Sequence, residues 1–397
     1  MKKQILVAYY EMLVGGSTTS LLALLNNLNP EIYEIDLQLQ SCSGPLLDQI
    51  PSHVRLLPPA LKYPGKAGKL IKAALGVLTG ALPRAWLVNR RLGKPGLSEQ
   101  VLADFYAKQL SHKIQKEYDI AIGFLEGWPV RHIAYNVRAK KKLCWLHSTF
   151  ANLAPVPALE KPWMEKVDNV VFVADDCRDA FKETVPEFAH KAITIHNIID
   201  SDLLRARAEQ TDTEDEAYLR FQAADCFKVV TVCRVDIWVK GLDRTVACAK
   251  ALKAMKKKFQ WVIVGDGEDM AALKKMIDQA DVSDCVIPVG NRLNPLPFVK
   301  TADIFCMLSR YEGKPMVITE SMILGTPPLV TRYLSAGEQI RDGVEGIIVE
   351  NEETAALPAL VKCMDSPELV CAMHKTLLAN DYGNRDEITQ IEQICFG

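Results

Sequence analysis

Two absences say most about this chain of 397 residues. Its 11 cysteines include no Cys-x-x-Cys pair, and no acidic residue occurs between Gln49 and Ser98. The first absence excludes a zinc ribbon or thiol–disulfide centre, and the odd count argues against a secreted disulfide framework. Cys144, Cys233 and Cys306 lie inside apolar runs, as small buried hydrophobes do. No run reaches 18 apolar residues, which excludes a straight membrane-spanning helix. The first apolar stretch, Ile5 to Tyr10, is too short for a signal-peptide core, so a cytoplasmic protein is expected. No phosphate-binding loop ending in Gly-Lys-Ser/Thr occurs either. A net charge of −2, with 24% charged and 49% hydrophobic residues, excludes a disordered chain, a fibre and a general nucleic-acid binder.

The acid-free stretch holds nine cations: Arg55, Lys62, Lys66, Lys69, Lys72, Arg84, Arg90, Arg91 and Lys94. The rest of the chain therefore sits at −11 while the whole is at −2. Within it Leu70, Ile71, Ala74, Leu75, Leu78 and Leu82 recur at helical steps, with Lys66, Lys69 and Lys72 beside the start of the stripe. Residues 62–94 thus read as an anionic membrane surface contact, placing the protein peripherally on the inner face of the cell membrane. The competing reading is a helix packed on its own domain with solvated lysines.

Length predicts two or three domains. Apolar runs near 4–9, 33–39, 119–124, 143–147, 170–174 and 192–196 read as strands, each followed by a helical pattern. A second set falls near 229–233, 261–264, 286–289, 304–308, 328–331 and 346–349. In 33–39, Tyr33, Ile35, Leu37 and Leu39 alternate with Glu34, Asp36 and Gln38, which predicts one wet face. Repeated strand–helix units imply two α/β domains, each a Rossmann-like parallel sheet, facing across a cleft. The expected division is 1–200, with a crossover helix at about 376–397, and 201–375. A polar, charged stretch places the hinge near 197–225. In such folds ligands bind beyond the carboxyl ends of strands.

The informative residues follow strands. Gly15 and Gly16 precede a helix opened by Ser17, where backbone amides can meet an anion; a plain helix start would look the same. Arg234 and Lys240 occupy one loop and suit a diphosphate. Gly265-Asp266-Gly267 resembles a dinucleotide fingerprint, but Met270 replaces its third glycine and no nicotinamide site is read there. In Ser309-Arg310-Tyr311-Glu312-Gly313-Lys314-Pro315-Met316, Pro315 suits the first turn of a helix ending near Gly325. Glu320 lies inside that apolar helix, where an unpaired carboxylate is costly. Two glutamates eight residues apart suit a ligand with two polyol ends.

These strings, with Trp145-Leu146-His147-Ser148, Ile195-His196-Asn197-Ile198-Ile199-Asp200 and Asn294-Pro295, resemble glycosyltransferase family 4 over nearly the whole chain. The resemblance implies the GT-B fold and a retaining transferase using a nucleotide sugar, a UDP-sugar by preference, with no metal or other cofactor. Arg234 and Lys240 would hold the diphosphate and Glu320 the ribose. Glu312, with Gly313, Lys314, Pro315 and Met316, would lie near the donor sugar, and His147 would face it. Gly15, Gly16 and Gly265 would approach the donor, Asn291 and Arg292 would contact the base, and Glu338 would border the nucleotide. Three departures stand out. Five residues separate Arg234 from Lys240 where the family has four, Lys314 replaces a common aromatic, and Pro328 follows Pro327. A lipid-linked glycan or glycolipid in cell-envelope polysaccharide synthesis is the expected acceptor. The competing function is a catalytically silent GT-B partner of another transferase; an epimerase or phosphorylase fits the 309–327 string poorly.

Overall fold

The computed structural model describes residues 2–62, 65–92, 95–153, 155 and 157–396. The chain divides into two compact units, residues 1–198 with 385–397, and residues 199–384. The first is built on a seven-stranded parallel sheet of β1 (Lys3–Tyr9), β2 (Tyr33–Leu39), β3 (Val54–Leu56), β4 (Glu117–Gly123), β5 (Arg138–Leu146), β6 (Asn169–Phe172) and β7 (Ala192–Thr194). Its order is β3-β2-β1-β4-β5-β6-β7. The second carries β8 (Phe227–Val232), β9 (Phe259–Val264), β10 (Val286–Gly290), β11 (Ile304–Met307), β12 (Pro328–Thr331) and β13 (Ile347–Val349), in the order β10-β9-β8-β11-β12-β13. Both are doubly wound: the chain reverses its direction of travel across the sheet between β1 and β4, and again between β8 and β11. Ligands bind at the carboxyl ends of strands flanking such reversals.

The central strands read as continuous apolar runs because both faces are covered. Ile5 and Val7 enter one core with Leu21, Leu25, Ile120 and Ile122, while Leu6 and Ala8 pack opposite with Ala121, Trp128 and Ile133. In the second unit Val230, Val262 and Phe305 lie on one side, and Val229, Trp261, Ile263 and Cys306 on the other.

The wet face expected of β2 is corrected: Asp36 and Gln38 are buried. Both faces of β2 are buried from Ile35 to Leu39, and the polar groups there are satisfied internally. Asp36 accepts two hydrogen bonds of 2.7 Å from Arg55, one of 2.7 Å from Tyr118 and one of 3.0 Å from Lys116. Gln38 Oε1 lies 2.8 Å from His132 Nε2.

The polar stretch 201–224 is not a linker. It forms two helices of the second unit, Ser201–Ala208 and Glu216–Ala223, capped by the side chains of Asp200 and Asp215. The chain passes between the units at Ile198–Ile199 and returns at Asn384–Arg385. The last helix, Glu387–Phe396, buries Ile391 in the first unit, where Tyr33 Oη donates to Glu392 at 3.0 Å.

Candidate functional site

In the second unit the candidate residues gather at the reversal between β8 and β11. The loop after β8 carries Arg234 and Lys240, and the loop after β11 carries Glu312. Lys240 Nζ donates to Glu312 Oε1 at 2.7 Å, with both side chains at most one-fifth exposed. Arg234 is 73% exposed and lies 3.6 Å from Asp236, so it does not share that contact.

Two glycines set this loop. Gly241 has φ +62, and a Cβ there would meet the Leu308 carbonyl at 2.0 Å, so the Lys240 loop sits directly on the end of β11. At Gly265, φ is +137 and a Cβ would strike the Cys233 carbonyl at 1.8 Å. Gly265-Asp266-Gly267 therefore packs the loop after β9 against the loop after β8, with Val235 N donating to Asp266 O at 2.9 Å. That packing role explains the glycines without a bound nucleotide.

Arg310 ties the same loops together. It donates to both carboxylate oxygens of Asp243 at 2.9 and 2.7 Å, to the Trp238 carbonyl at 2.8 Å and to Glu353 at 2.8 Å. Its guanidinium also lies 3.8 Å from the centre of the Trp238 ring. Residues 236–243 are thereby fixed from the β11 side.

Pro315 caps the helix Met316–Ile323, and Gly325 after it has φ +79. Glu312 precedes this helix, so the eight-residue spacing of the two glutamates is only partly helical. Gln339 Nε2 donates to the Pro315 carbonyl at 2.9 Å and to Thr319 at 2.8 Å, and Ser335 Oγ donates to the Gly313 carbonyl. Lys314 pairs with Glu338 at 2.7 Å. Glu320 is buried in the helix, and its carboxylate has no hydrogen-bond or ion-pair partner among the described residues. Burial pushes its carboxyl up to about 7, opposed only weakly by Arg207. Arg292 is already engaged: it bonds Asp215 and the Val289 carbonyl, whereas the Asn291 side chain has no hydrogen bond among the described residues. The one Asp-x-Asp string, Asp200-Ser201-Asp202, is a helix cap, with Asp200 accepting from the amides of Asp202 and Leu203.

In the first unit Gly15 and Gly16 follow β1, which flanks the reversal, and His147 follows β5, one strand beyond β4. Tyr9, at the end of β1, holds the helix Gly16–Asn27 through Ser17 Oγ at 2.7 Å and Thr18 Oγ1 at 3.1 Å. A Cβ at Gly15 or Gly16 would meet nothing within 4 Å. Neither packing nor a left-handed φ demands glycine there, which leaves room for close approach of a ligand. His147 follows β5, packs edge-on to Phe124 at 5.0 Å, and keeps Nε2 buried without a partner among the described residues. Burial lowers its pKa and outweighs Glu126 and the Phe124 backbone, so the ring is neutral at pH 7. Glu126, which no sequence string marks, accepts from the His147 amide at 2.9 Å and from the Ser148 hydroxyl at 2.5 Å.

Residues 222–373 match the family described as Glycosyl transferases group 1. The Salmonella typhi Vi polysaccharide biosynthesis protein VipC/TviE is 30% identical over 98 residues, 25% of this chain and 17% of that protein. The Erwinia amylovora amylovoran biosynthesis glycosyltransferase AmsK is 30% identical over 132 residues, 31% of this chain and 32% of that one. This chain thus spans less than a third of the length of each of these two relatives. Anabaena HepE, solved in complex with UDP and glucose, superposes with a TM-score of 0.70 at 16% identity, covering 99% of both chains. Two doubly wound parallel sheets and that likeness give the chain the GT-B fold, and within its second unit residues 222–373 are similar to the group 1 glycosyl transferases.

Proposed function

We propose that this protein is a retaining glycosyltransferase that moves a sugar from a UDP-sugar to a hydroxyl of a lipid-linked glycan or glycolipid in cell-envelope polysaccharide synthesis. The observation that carries the reading is Glu320, a buried carboxylate in the helix after β11 without a hydrogen-bond or ion-pair partner among the described residues. A buried acid is costly unless something pairs with it, and ribose hydroxyls are donors of the right kind. Lys240 and Arg234 supply the charge for a diphosphate in front of it. The two relatives, both named for polysaccharide biosynthesis, support the pathway class, and the UDP in the HepE complex supports the base.

In this reading the bond from the anomeric carbon to the β-phosphate oxygen breaks as the acceptor oxygen bonds the same carbon on the same face. The acceptor proton passes to the departing phosphate oxygen, and UDP leaves. Lys240 and Arg234 stabilise the charge that develops on that oxygen. Glu312 and His147 act on the donor sugar, and Gly15 and Gly16 admit it closely. No metal is required in this scheme, because the two cations occupy its electrostatic role; loss of turnover in EDTA that Mg²⁺ restores would refute this part. Lys314 is held by Glu338, and a donor sugar bearing a carboxylate would compete for it.

The test is thermal stabilisation by UDP, GDP, ADP, dTDP and their sugars. A shift with uridine nucleotides that Glu320→Ala abolishes supports the reading. No shift with any nucleotide would point instead to a catalytically silent partner.

A further inference from the structure

The helices Gly65–Leu78 and Ala81–Leu92 carry their side chains the wrong way round for a protein in water. Six of the eighteen exposed large apolar residues among those described lie in this short segment: Leu70, Ile71, Val77, Leu78, Trp86 and Leu87. Leu70 is 75% exposed and Leu78 81%. The faces turned toward the unit carry smaller groups. Gly76, Ala81 and Ala85 are buried, and among the described side chains Leu75 and Leu82 bring larger groups, Leu75 against Ala81, Phe105 and Leu110 and Leu82 against Gly76. The stripe read from the sequence is therefore split. Leu75 and Leu82 pack inward, while Leu70, Ile71, Ala74 and Leu78 face out, so packing on its own domain accounts for only part of it.

The described charges on these two helices are all positive. Arg84 and Arg90 are exposed and Lys72 half-buried beside the apolar groups, within the fifty residues that hold no acid. Arg90 lies 5.0 Å from the centre of the Trp86 ring, an arrangement suited to the boundary between headgroups and acyl chains. Of the stretch 62–94, residues 63, 64, 93 and 94 and the side chains of residues 65–69, 88, 89, 91 and 92, those of Lys66, Lys69 and Arg91 among them, lie outside the described part of the structure.

We infer that these two helices form a docking surface for an anionic phospholipid bilayer, lying in its interface with Leu70, Val77, Leu78 and Trp86 inserted. The pair bends by 74° and, among the described residues, no single helix is long and apolar enough to cross a membrane. The inward faces are already packed on the first unit, which suits embedding on one side rather than spanning. The surface deepens the proposed acceptor class and rests on that reading for its biological sense, but its evidence and its test need neither donor nor acceptor.

The test is flotation of the full chain with vesicles of phosphatidylcholine alone, or mixed with phosphatidylglycerol. The expected result is binding to the mixed vesicles, little to the neutral ones, and release by high salt or alkaline carbonate. K72Q/R84Q/R90Q should lower the partition by about fivefold for each cation removed. L70S/L78S should lower it by about tenfold for each leucine. Both variants change exposed or half-buried groups, and an unaltered thermal shift with UDP shows that they fold. Equal binding to neutral vesicles, carbonate-resistant binding, or variants that float like the parent would each overturn the surface. Self-association broken by L70S/L78S without flotation would assign the patch to a second copy and overturn it too. A UDP shift without flotation sinks this inference alone, while flotation without a UDP shift sinks the transferase reading alone.

Discussion

Lys240 Nζ stands 2.7 Å from the Glu312 carboxylate, so the cation assigned to the diphosphate is held by the acid assigned to the sugar. A diphosphate entering this site competes with Glu312 for Lys240. Glu312→Gln should therefore leave UDP affinity unchanged or raise it by up to about tenfold, because a competing charge is gone. Turnover of the sugar donor should still fall. Lys240→Met should act in the opposite sense, weakening UDP binding and costing about 1–2 kcal/mol of stability by leaving Glu312 without its cation. Calorimetric titration with UDP on both variants checks the pair; equal losses of affinity in both would contradict the exchange.

Glu320 gives the site a pH signature. Its carboxyl is raised in the folded protein from an ordinary 4.5 to about 7, chiefly by burial. With the folded value above the unfolded one, its contribution is fully present below about pH 4.5 and is lost as pH rises through 7. The amount is on the order of 3 kcal/mol. Glu320→Gln should remove this slope and make the protein more stable than its parent at pH 8, while weakening donor binding. Ribose hydroxyls favour the carboxylate, so binding should also release a proton. Calorimetry with UDP-glucose at pH 6.5 in buffers of different ionisation enthalpy measures it, and a binding heat independent of buffer would contradict the ribose role.

Strand positions were legible because the sheets are covered on both sides and their strands stand out as apolar runs. Val54–Leu56 escaped: it is three residues long, Arg55 and Leu56 are exposed, and nothing in so short a string separates it from a loop. The wet face assigned to β2 failed for a related reason. Alternation in a string reports polarity, and only the partners Arg55, Lys116, Tyr118 and His132, distant in sequence, show that the polar side is buried. The candidates from Ser309 to Met316 lie in one compact string, which is what lets a sequence propose them. Glu126 was not legible, because its role exists only through His147 and Ser148 some twenty residues later. Likewise periodicity locates an apolar stripe in 70–82, but the direction it faces depends on what the rest of the unit offers it.

Asp36 is the buried charge on which the first unit depends. Burial works against its ionisation, but Arg55, Tyr118 and Lys116 outweigh burial and hold its carboxyl below the usual carboxylate range. With a folded pKa under the unfolded one, its stabilisation is present above the unfolded value and is lost as pH falls through the folded value. Asp36→Ala leaves Lys116 and the Tyr118 hydroxyl without their acceptor and should cost about 3 kcal/mol near neutrality. Urea unfolding at pH 7 and again near pH 3 tests this, since the gap between parent and variant should narrow in acid.

Arg310 holds the residues on either side of Lys240. It grips Asp243 with two nitrogens, bonds the Trp238 carbonyl and stacks on the Trp238 ring, so the ends of the loop that contains Lys240 are fixed by one guanidinium. Lysine keeps the charge but cannot reproduce two parallel bonds and a stacking plane. Arg310→Lys should therefore lower stability by about 2 kcal/mol and weaken UDP binding by about tenfold, although Arg310 is not assigned to the donor. A purely structural role predicts a lower melting temperature with unchanged UDP affinity in the protein that remains folded. A positioning role predicts loss of affinity well below the melting transition. The sharper form of the test uses the Lys240→Met background: if Arg310 acts through Lys240, adding Arg310→Lys should weaken UDP binding much less there than in the parent.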